Sequence, residues 1–438
     1  MERFMGFLEK TLVPLADKLS QNRYLKAISE GFSTLLPIIM IGAIFTLLAN
    51  LQIGPYQDFV TATHIKEILS FAPTITTDFL AVYAVFLIGK SLCEKLGEES
   101  NAAIAGILSL MVFFLLIPLG VQSGEGEAIV TIAAALGTKW LGTAGLFSAM
   151  IIGLIVPTIY VFLMHKNMTI KMPESVPPTI SKSFSSLVPG FIIAILFCLV
   201  RYGMSLTSYG SLNQFIYTML QTPLTNLGAS PFTFIIFILM CSLMWFFGLH
   251  GGMIVMPFLT MLYQAPALEN LEAYAAGTAM PNMIVKANWS VYASLGGAGG
   301  TIGLCIAMLF FTKSQRYKTL GKLALPAGLC GINEPITFGL PMVLNTIMII
   351  PLMLTPVVTF LIAYGCTVVG IVPPLNGTEI PLGTPVVFSG WLTGGMRVAI
   401  LQIVLIAVQF TVYLPFIKVL DRQALKEEQA LEREEANA

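Results

Sequence analysis

Nine stretches of this 438-residue chain stay apolar over roughly 20 residues, the length one α-helix needs to cross the hydrocarbon of a bilayer. They begin near Gly31, Phe71, Ala102, Trp140, Ser183, Ser230, Trp289, Thr346 and Met396. A soluble core cannot absorb so many runs, and in lipid each must satisfy its own backbone hydrogen bonds, so they read as helices. Only 11% of the residues are charged, against about 25% in soluble domains, and 56% are hydrophobic. The chain reads as an all-α polytopic membrane protein with lipid as its surroundings. Its 23 basic and 23 acidic residues leave no basic surface, which excludes nucleic acid as a partner.

Lysine and arginine placement tests the count, because positive charge collects on the cytoplasmic side. With the N-terminus inside, Lys10, Lys18, Arg23 and Lys26 are cytoplasmic. So are Lys90 and Lys95 after the second run, and Lys166, Lys171 and Lys182 after the fourth; Lys66 and Lys139 alone face outward. The alternation fails at Lys313, Arg316, Lys318 and Lys322 unless Gly252 to Leu268 is one more crossing. That makes ten transmembrane helices, with both termini cytoplasmic. Two leftover stretches, about 269–288 and 325–345, are too polar or too broken to span and read as re-entrant segments buried in protein. Phe4, Leu8, Leu12, Leu15 and Leu19 recur at helical spacing between charges, so 1–30 reads as an interfacial amphipathic helix, with a cap helix as the plain alternative. That charged start is unlike a signal peptide. The expected divisions are a membrane domain over 31–210, a second over 211–417 and a tail over 418–438. The loop from Met172 to Phe184, with Pro177 and Pro178, reads as a stiff, extended connector.

Chemistry concentrates in the second half, where Gly, Pro, Asn and Trp interrupt the runs. Glu334 lies in LPAGLCGINEPITFGLPMVLN, and from Ala273 to Thr378 the chain has no other acid. An ionisable group in broken intramembrane backbone marks a functional site. His250, between Gly248 and Gly251, is the histidine that chain-end solvation does not explain; it is either satisfied by a nearby carbonyl or paired with Glu334 across a cavity. A carboxylate and an imidazole together offer an acceptor and a donor to a hydroxyl, which suits a sugar. Sugars also take aromatic faces and amides: Trp245 and Trp391 are the candidate faces, Asn333 and Asn282 the candidate amides, although Trp also collects at membrane interfaces. Lys286 either neutralises a carboxylate or snorkels. Gly296 to Gly303, GGAGGTIG, lacks the phosphate-cradle spacing and reads as close helix packing within a span. The six scattered cysteines and three distant histidines suggest neither metal nor disulfide framework, and no cofactor is expected.

FGLHGG around His250, GGAGGTIGL and above all GINEPITFGLP around Glu334 resemble the enzyme IIC sugar permease of the bacterial phosphoenolpyruvate-dependent phosphotransferase system. Within it the chain is most similar to the lactose, cellobiose and diacetylchitobiose family, a likeness that includes NRYLKAISEGF and the SVPP loop. The resemblance implies an inner-membrane homodimer formed by the N-terminal half, ten membrane helices, two re-entrant hairpins and a disaccharide pocket in the C-terminal half. It implies that a separate enzyme IIB transfers phosphate from its phosphocysteine to the sugar's 6-hydroxyl. Carried onto this sequence, Glu334 and His250 would hold that hydroxyl and Glu334 would accept its proton. The residues alone also fit an ion-coupled secondary sugar transporter with Glu334 as proton site.

Overall fold

The computed structural model describes residues 21–50, 54–123, 130–170, 172–173, 176–340 and 342–437, together with Pro14 and Lys18. The amphipathic helix expected over 1–30 thus lies mostly outside the described residues, as does Pro341. The contacts divide the chain into two units, one of Gln21–Asn226 with Thr260–Leu268, the other of Leu227–Leu259 with Glu269–Ala438. The division falls after Asn226, where the sequence suggested 210.

The first unit runs α1 (Arg23–Asn50), α2 (Gly54–Ala62), α3 (Ile65–Thr76), α4 (Leu80–Lys95) and α5 (Ala102–Leu116), then β1 (Leu119–Ser123) and β2 (Val130–Leu136). It continues with α6 (Leu146–His165), α7 (Pro178–Ser185), α8 (Leu187–Ser205), α9 (Leu212–Ile216) and α10 (Thr222–Gly228). Asn22 starts α1, its Oδ1 accepting the N–H groups of Tyr24 at 3.0 Å and Leu25 at 3.2 Å. The buried stripe Ala27, Ile28, Gly31, Phe32, Leu35 and Ile39 keeps helical spacing and faces α4. Ile88, fully buried on α4, sits between Gly31 of α1 and Gly153 of α6. A Cβ on Gly31 would come within 2.6 Å of Ile88 Cγ1, so a hydrogen there is what lets the helices approach. In a membrane, where lipid is as apolar as Ile88, this contact is packing rather than hydrophobic burial.

Two details differ from the sequence expectation. The antiparallel β1–β2 hairpin is a small non-helical element in an otherwise helical unit. The connector is also shorter than expected, because Pro178 opens α7 as its first residue, where its fixed φ suits a helix start.

The second unit holds α11 (Pro231–Phe246), the two ends of α12 (Gly251–Ala275), whose middle, Thr260–Leu268, belongs to the first, then α13 (Ile302–Phe311), α14 (Gln315–Leu329), α15 (Glu334–Gly339), α16 (Ile349–Val368) and α17 (Phe388–Asn437). Among the described residues eight helical stretches are long and apolar enough to cross a membrane; Leu212–Gly228 and Pro231–Phe246, bent by 73°, form either a broken ninth span or a re-entrant loop. Gly251–Ala275 is one of the eight, which is the crossing that the charge count demanded. The run from Trp289 is not a single helix: it comes as a π-helical turn, Trp289–Ala293, a glycine turn and the ten-residue α13. Gly296, Gly297, Gly299 and Gly300 all have positive φ, so this stretch packs closely as a turn, not as the helix expected of it.

Helix α17 organises the unit. It is broken at Gly395 (φ 74°), and the part beyond the break, 396–437, is about 63 Å long, about twice the hydrocarbon thickness. Gln402, Gln409 and Tyr413 are fully buried along it. Gln402 Oε1 accepts Val387 N at 2.8 Å and Gly390 N at 3.0 Å, and its Nε2 donates to Val291 O at 2.9 Å. Gln409 accepts Gly303 N and donates to Leu295 O, both at 3.2 Å. Tyr413 donates to Gly299 O at 2.8 Å. Each bond satisfies backbone that the breaks at 291–303 and 387–390 would otherwise leave open.

Gly31→Leu should cost about 1–3 kcal/mol by overpacking against Ile88, lowering the melting temperature of the purified protein, with Ile88→Ala recovering part of the loss.

Candidate functional site

Helix α11 ends in a left-handed Gly248 (φ 79°), with Gly248 N donating to Trp245 O at 3.0 Å and Leu249 N to Met244 O at 2.9 Å. Two residues after Gly248, His250 caps α12. The link is tight because Gly251 lies against α11, where a Cβ would meet Cys241 O at 2.2 Å. Trp245, in the last turn of α11, and His250, at the start of α12, are thereby held with ring centroids 4.6 Å apart.

His250 Nδ1 accepts the N–H of Met253 at 3.2 Å. An imidazole nitrogen that accepts a hydrogen bond carries no proton, so in the neutral ring the proton is on Nε2. Nε2 points to Glu334, 3.9 Å from its Oε1. That distance is beyond direct hydrogen bonding, and an oxygen about 2.8 Å from both atoms would sit beside the line that joins them. Both side chains are accessible, His250 by 49% and Glu334 by 45%.

Glu334 reaches this place through breaks on both sides. Helix α14 runs through Pro326 to Leu329, the chain reverses at Gly331 (φ 77°), and Asn333 precedes α15, which Glu334 opens. Downstream, Leu344 N donates to Phe246 O at 2.9 Å and Val343 packs on Gly248, tying the segment to the turn before His250. The stretch 325–345 is therefore helix, break, short helix and turn. The stretch 269–288 is different: the end of α12, a reversal at Gly277 (φ 66°) and an irregular run that turns at Lys286 back into helix.

Of the residues expected at the site, His250, Glu334 and Trp245 are brought together. Asn333 is turned the other way: its Nδ2 donates to Ala298 O at 2.7 Å, and Gly297 lies so close that a Cβ would fall 2.5 Å from Asn333 Cβ. It anchors the Glu334 segment to the glycine turn. Asn282 is grouped with Glu269, to which its Nδ2 donates at 2.8 Å, and with Asn270, whose Oδ1 accepts its N–H at 2.9 Å. Trp391 stacks on Phe388 with centroids 5.7 Å apart. The indole Nε1 of Trp245 is buried without a hydrogen-bond partner among the described residues, which leaves a donor beside His250.

One acid escaped the sequence reading because it stands just past the interval free of carboxylates. Glu379, 9% exposed, pairs with Lys286 at 3.1 Å, so Lys286 neutralises a carboxylate. Around the pair, fully buried Asn270 donates to Asn282 O and Leu375 O, both at 2.8 Å, and Asn376 donates to Leu392 O at 2.9 Å. These amides tie the two irregular segments that carry Lys286 and Glu379. The legible signal was Lys286 itself, since a cation in apolar surroundings requires an anion.

Known proteins match this chain over most of its length. A family model described as phosphotransferase system, EIIC, matches residues 29–356. The oligo-beta-mannoside-specific EIIC component of Bacillus subtilis (strain 168) is 34% identical, over 96% of this chain and 95% of the relative. The cellobiose-specific EIIC component of Geobacillus stearothermophilus is also 34% identical, over 98% and 97%. The crystal structure of the transporter ChbC, the IIC component from the N,N'-diacetylchitobiose-specific phosphotransferase system, superposes with a TM-score of 0.93 at 35% identity, covering 97% of this chain and 99% of that one.

Lys286→Met alone should destabilise the protein by about 3–5 kcal/mol by stranding Glu379, whereas Lys286→Met with Glu379→Leu should unfold much closer to the unsubstituted protein. Thermal unfolding of the single and double variants in detergent measures the difference.

Proposed function

The chain belongs to the EIIC family of the phosphotransferase system, and from that premise we propose that it binds a β-linked disaccharide of the diacetylchitobiose or cellobiose type and carries it across the membrane. There it presents the sugar's 6-hydroxyl to the phosphocysteine of a separate enzyme IIB. The observation that carries this reading is the gap of 3.9 Å between His250 Nε2 and Glu334 Oε1.

A hydroxyl oxygen seated beside that pair, about 2.8 Å from each atom, accepts from Nε2–H and donates to Oε1. His250 is then a fixed donor, its tautomer set by Met253 N, and Glu334 is the proton acceptor. As the phosphoryl group arrives, the bond from O6 to phosphorus forms, the bond from sulfur to phosphorus breaks, the thiolate leaves with enzyme IIB and the O6 proton passes to Glu334. Trp245, 5% exposed, backs the same site, its ring packed against that of His250. Sugars named for relatives, among them cellobiose, N,N'-diacetylchitobiose and oligo-β-mannosides, share β linkage, which supports the substrate class.

The reading includes a bacterial inner-membrane setting with both termini cytoplasmic, supported by the lysine and arginine distribution, and a homodimer formed through the N-terminal unit. It puts the loop from Lys313 to Lys322 on the side from which enzyme IIB approaches.

Glu334→Gln keeps the size of the side chain and removes the acceptor of the proton. Phosphorylation of radiolabelled diacetylchitobiose by phosphorylated enzyme IIB should fall by about 10²–10⁴-fold and binding should weaken strongly; unchanged sugar uptake would refute the role. In proteoliposomes, uptake driven by a proton or sodium gradient without enzyme IIB would favour an ion-coupled transporter instead.

A further inference from the structure

Helix α14, which leads to Glu334, begins without a cap of its own: Ser314 precedes it, but the Ser314 side chain does not turn back onto α14. Four backbone N–H groups at a helix start need partners. Here the far end of α17 supplies partners for three of them, on Ser314, Gln315 and Arg316, and for Lys313 just before. Asp421, only 5% exposed, accepts Lys313 N at 3.0 and 2.9 Å through its two oxygens and Ser314 N at 2.8 Å. Two turns further along α17, Glu428 accepts the Ser314 hydroxyl at 2.6 Å, Arg316 N at 3.1 Å and Gln315 N at 3.3 Å. The order of the chain makes this a trans cap, in which carboxylates more than 100 residues away complete the helix start.

The capped helix is a lever. Its 15 residues reach about 22 Å, and at its far end the reversal at Gly331 delivers Asn333 and Glu334. Helix α15 lies back on α14, with Gly339 against Leu320, so Glu334 moves with α14. Its other anchor, Asn333 to Ala298 O, reaches the glycine turn that Tyr413 and Gln409 of α17 hold. Both supports of Glu334 therefore originate on one helix, and the Asp421 support lies at its polar end.

We propose that Asp421, with Glu428 as its outer partner, is a positioning residue for Glu334: by capping α14 it fixes the height of that helix and so the width of the gap to His250. This rests on Glu334 being the sugar ligand and base.

The test uses the full-length protein in lipid nanodiscs, with occupied sites counted by binding of radiolabelled diacetylchitobiose and phosphorylation by phosphorylated enzyme IIB reported per occupied site. Asp421→Ala should lower that rate by about tenfold to a hundredfold, as displacement of a catalytic group by around 1 Å does. Asp421→Asn keeps an acceptor oxygen and should hold the rate within about threefold. Fewer occupied sites with an unchanged rate at each, or no rescue by Asn, would overturn the proposal. Should Asp421→Ala fail to fold, Glu428→Ala decides, since it removes only the outer, more exposed partner: a lowered rate per occupied site supports the proposal and an unchanged one overturns it. Glu334→Gln, measured alongside, separates the two ideas. If it phosphorylates normally, the reading of Glu334 falls; if it is defective while both cap variants are normal, only the positioning role falls.

Discussion

Every break in this protein's second unit has to be reconciled with one requirement, that backbone N–H and C=O groups away from water find partners within the protein. A binding site for a hydroxylated ligand needs such breaks, because an unbroken helix keeps its own polar groups and presents only side chains. Helix α17 resolves the conflict. Gln402, Gln409 and Tyr413 act as substitutes for a neighbouring turn, each bonding backbone at 291–303 or 387–390. The π-helical turn and the four-glycine reversal persist because these three side chains complete them, and the position of Asn333, hence of Glu334, depends on that completed turn.

The same economy of partners explains the histidine. His250 serves as the cap of α12, and the cap fixes its tautomer. A ring recruited for helix termination is thus oriented as a donor toward Glu334 with no further residue devoted to that task. The left-handed Gly248 and the close approach at Gly251 are what bring Trp245 and Glu334 to this ring, so the site is a by-product of how two helices are joined.

Much of this was legible in the sequence because membrane residence makes polar residues conspicuous. The apolar runs and lysine placement pointed to the crossings, including Gly251–Ala275, the least apolar of the eight, which the lysine count singled out. Glu334 and His250 stood out by their isolation. What isolation cannot reveal is which polar groups are already engaged. Asn333 looked like a sugar ligand because it adjoins Glu334, yet successive residues at a helix start point in different directions and its amide holds the glycine turn. Asn282 and Trp391 have suitable chemistry and other neighbours. The glycines at 296–303 were read as a packed helix because small residues serve both uses; only φ separates them. Gln402 and Gln409 drew no attention, although amides in an apolar run are the signature of bonding across helices.

The Lys286–Glu379 pair has a consequence that belongs to electricity rather than to shape. A single charge displaced through a membrane potential exchanges about 2.3 kcal/mol per 100 mV. Two opposite charges held 3.1 Å apart present almost no net charge to that field, so the irregular segments that carry them are indifferent to the voltage across the cell membrane.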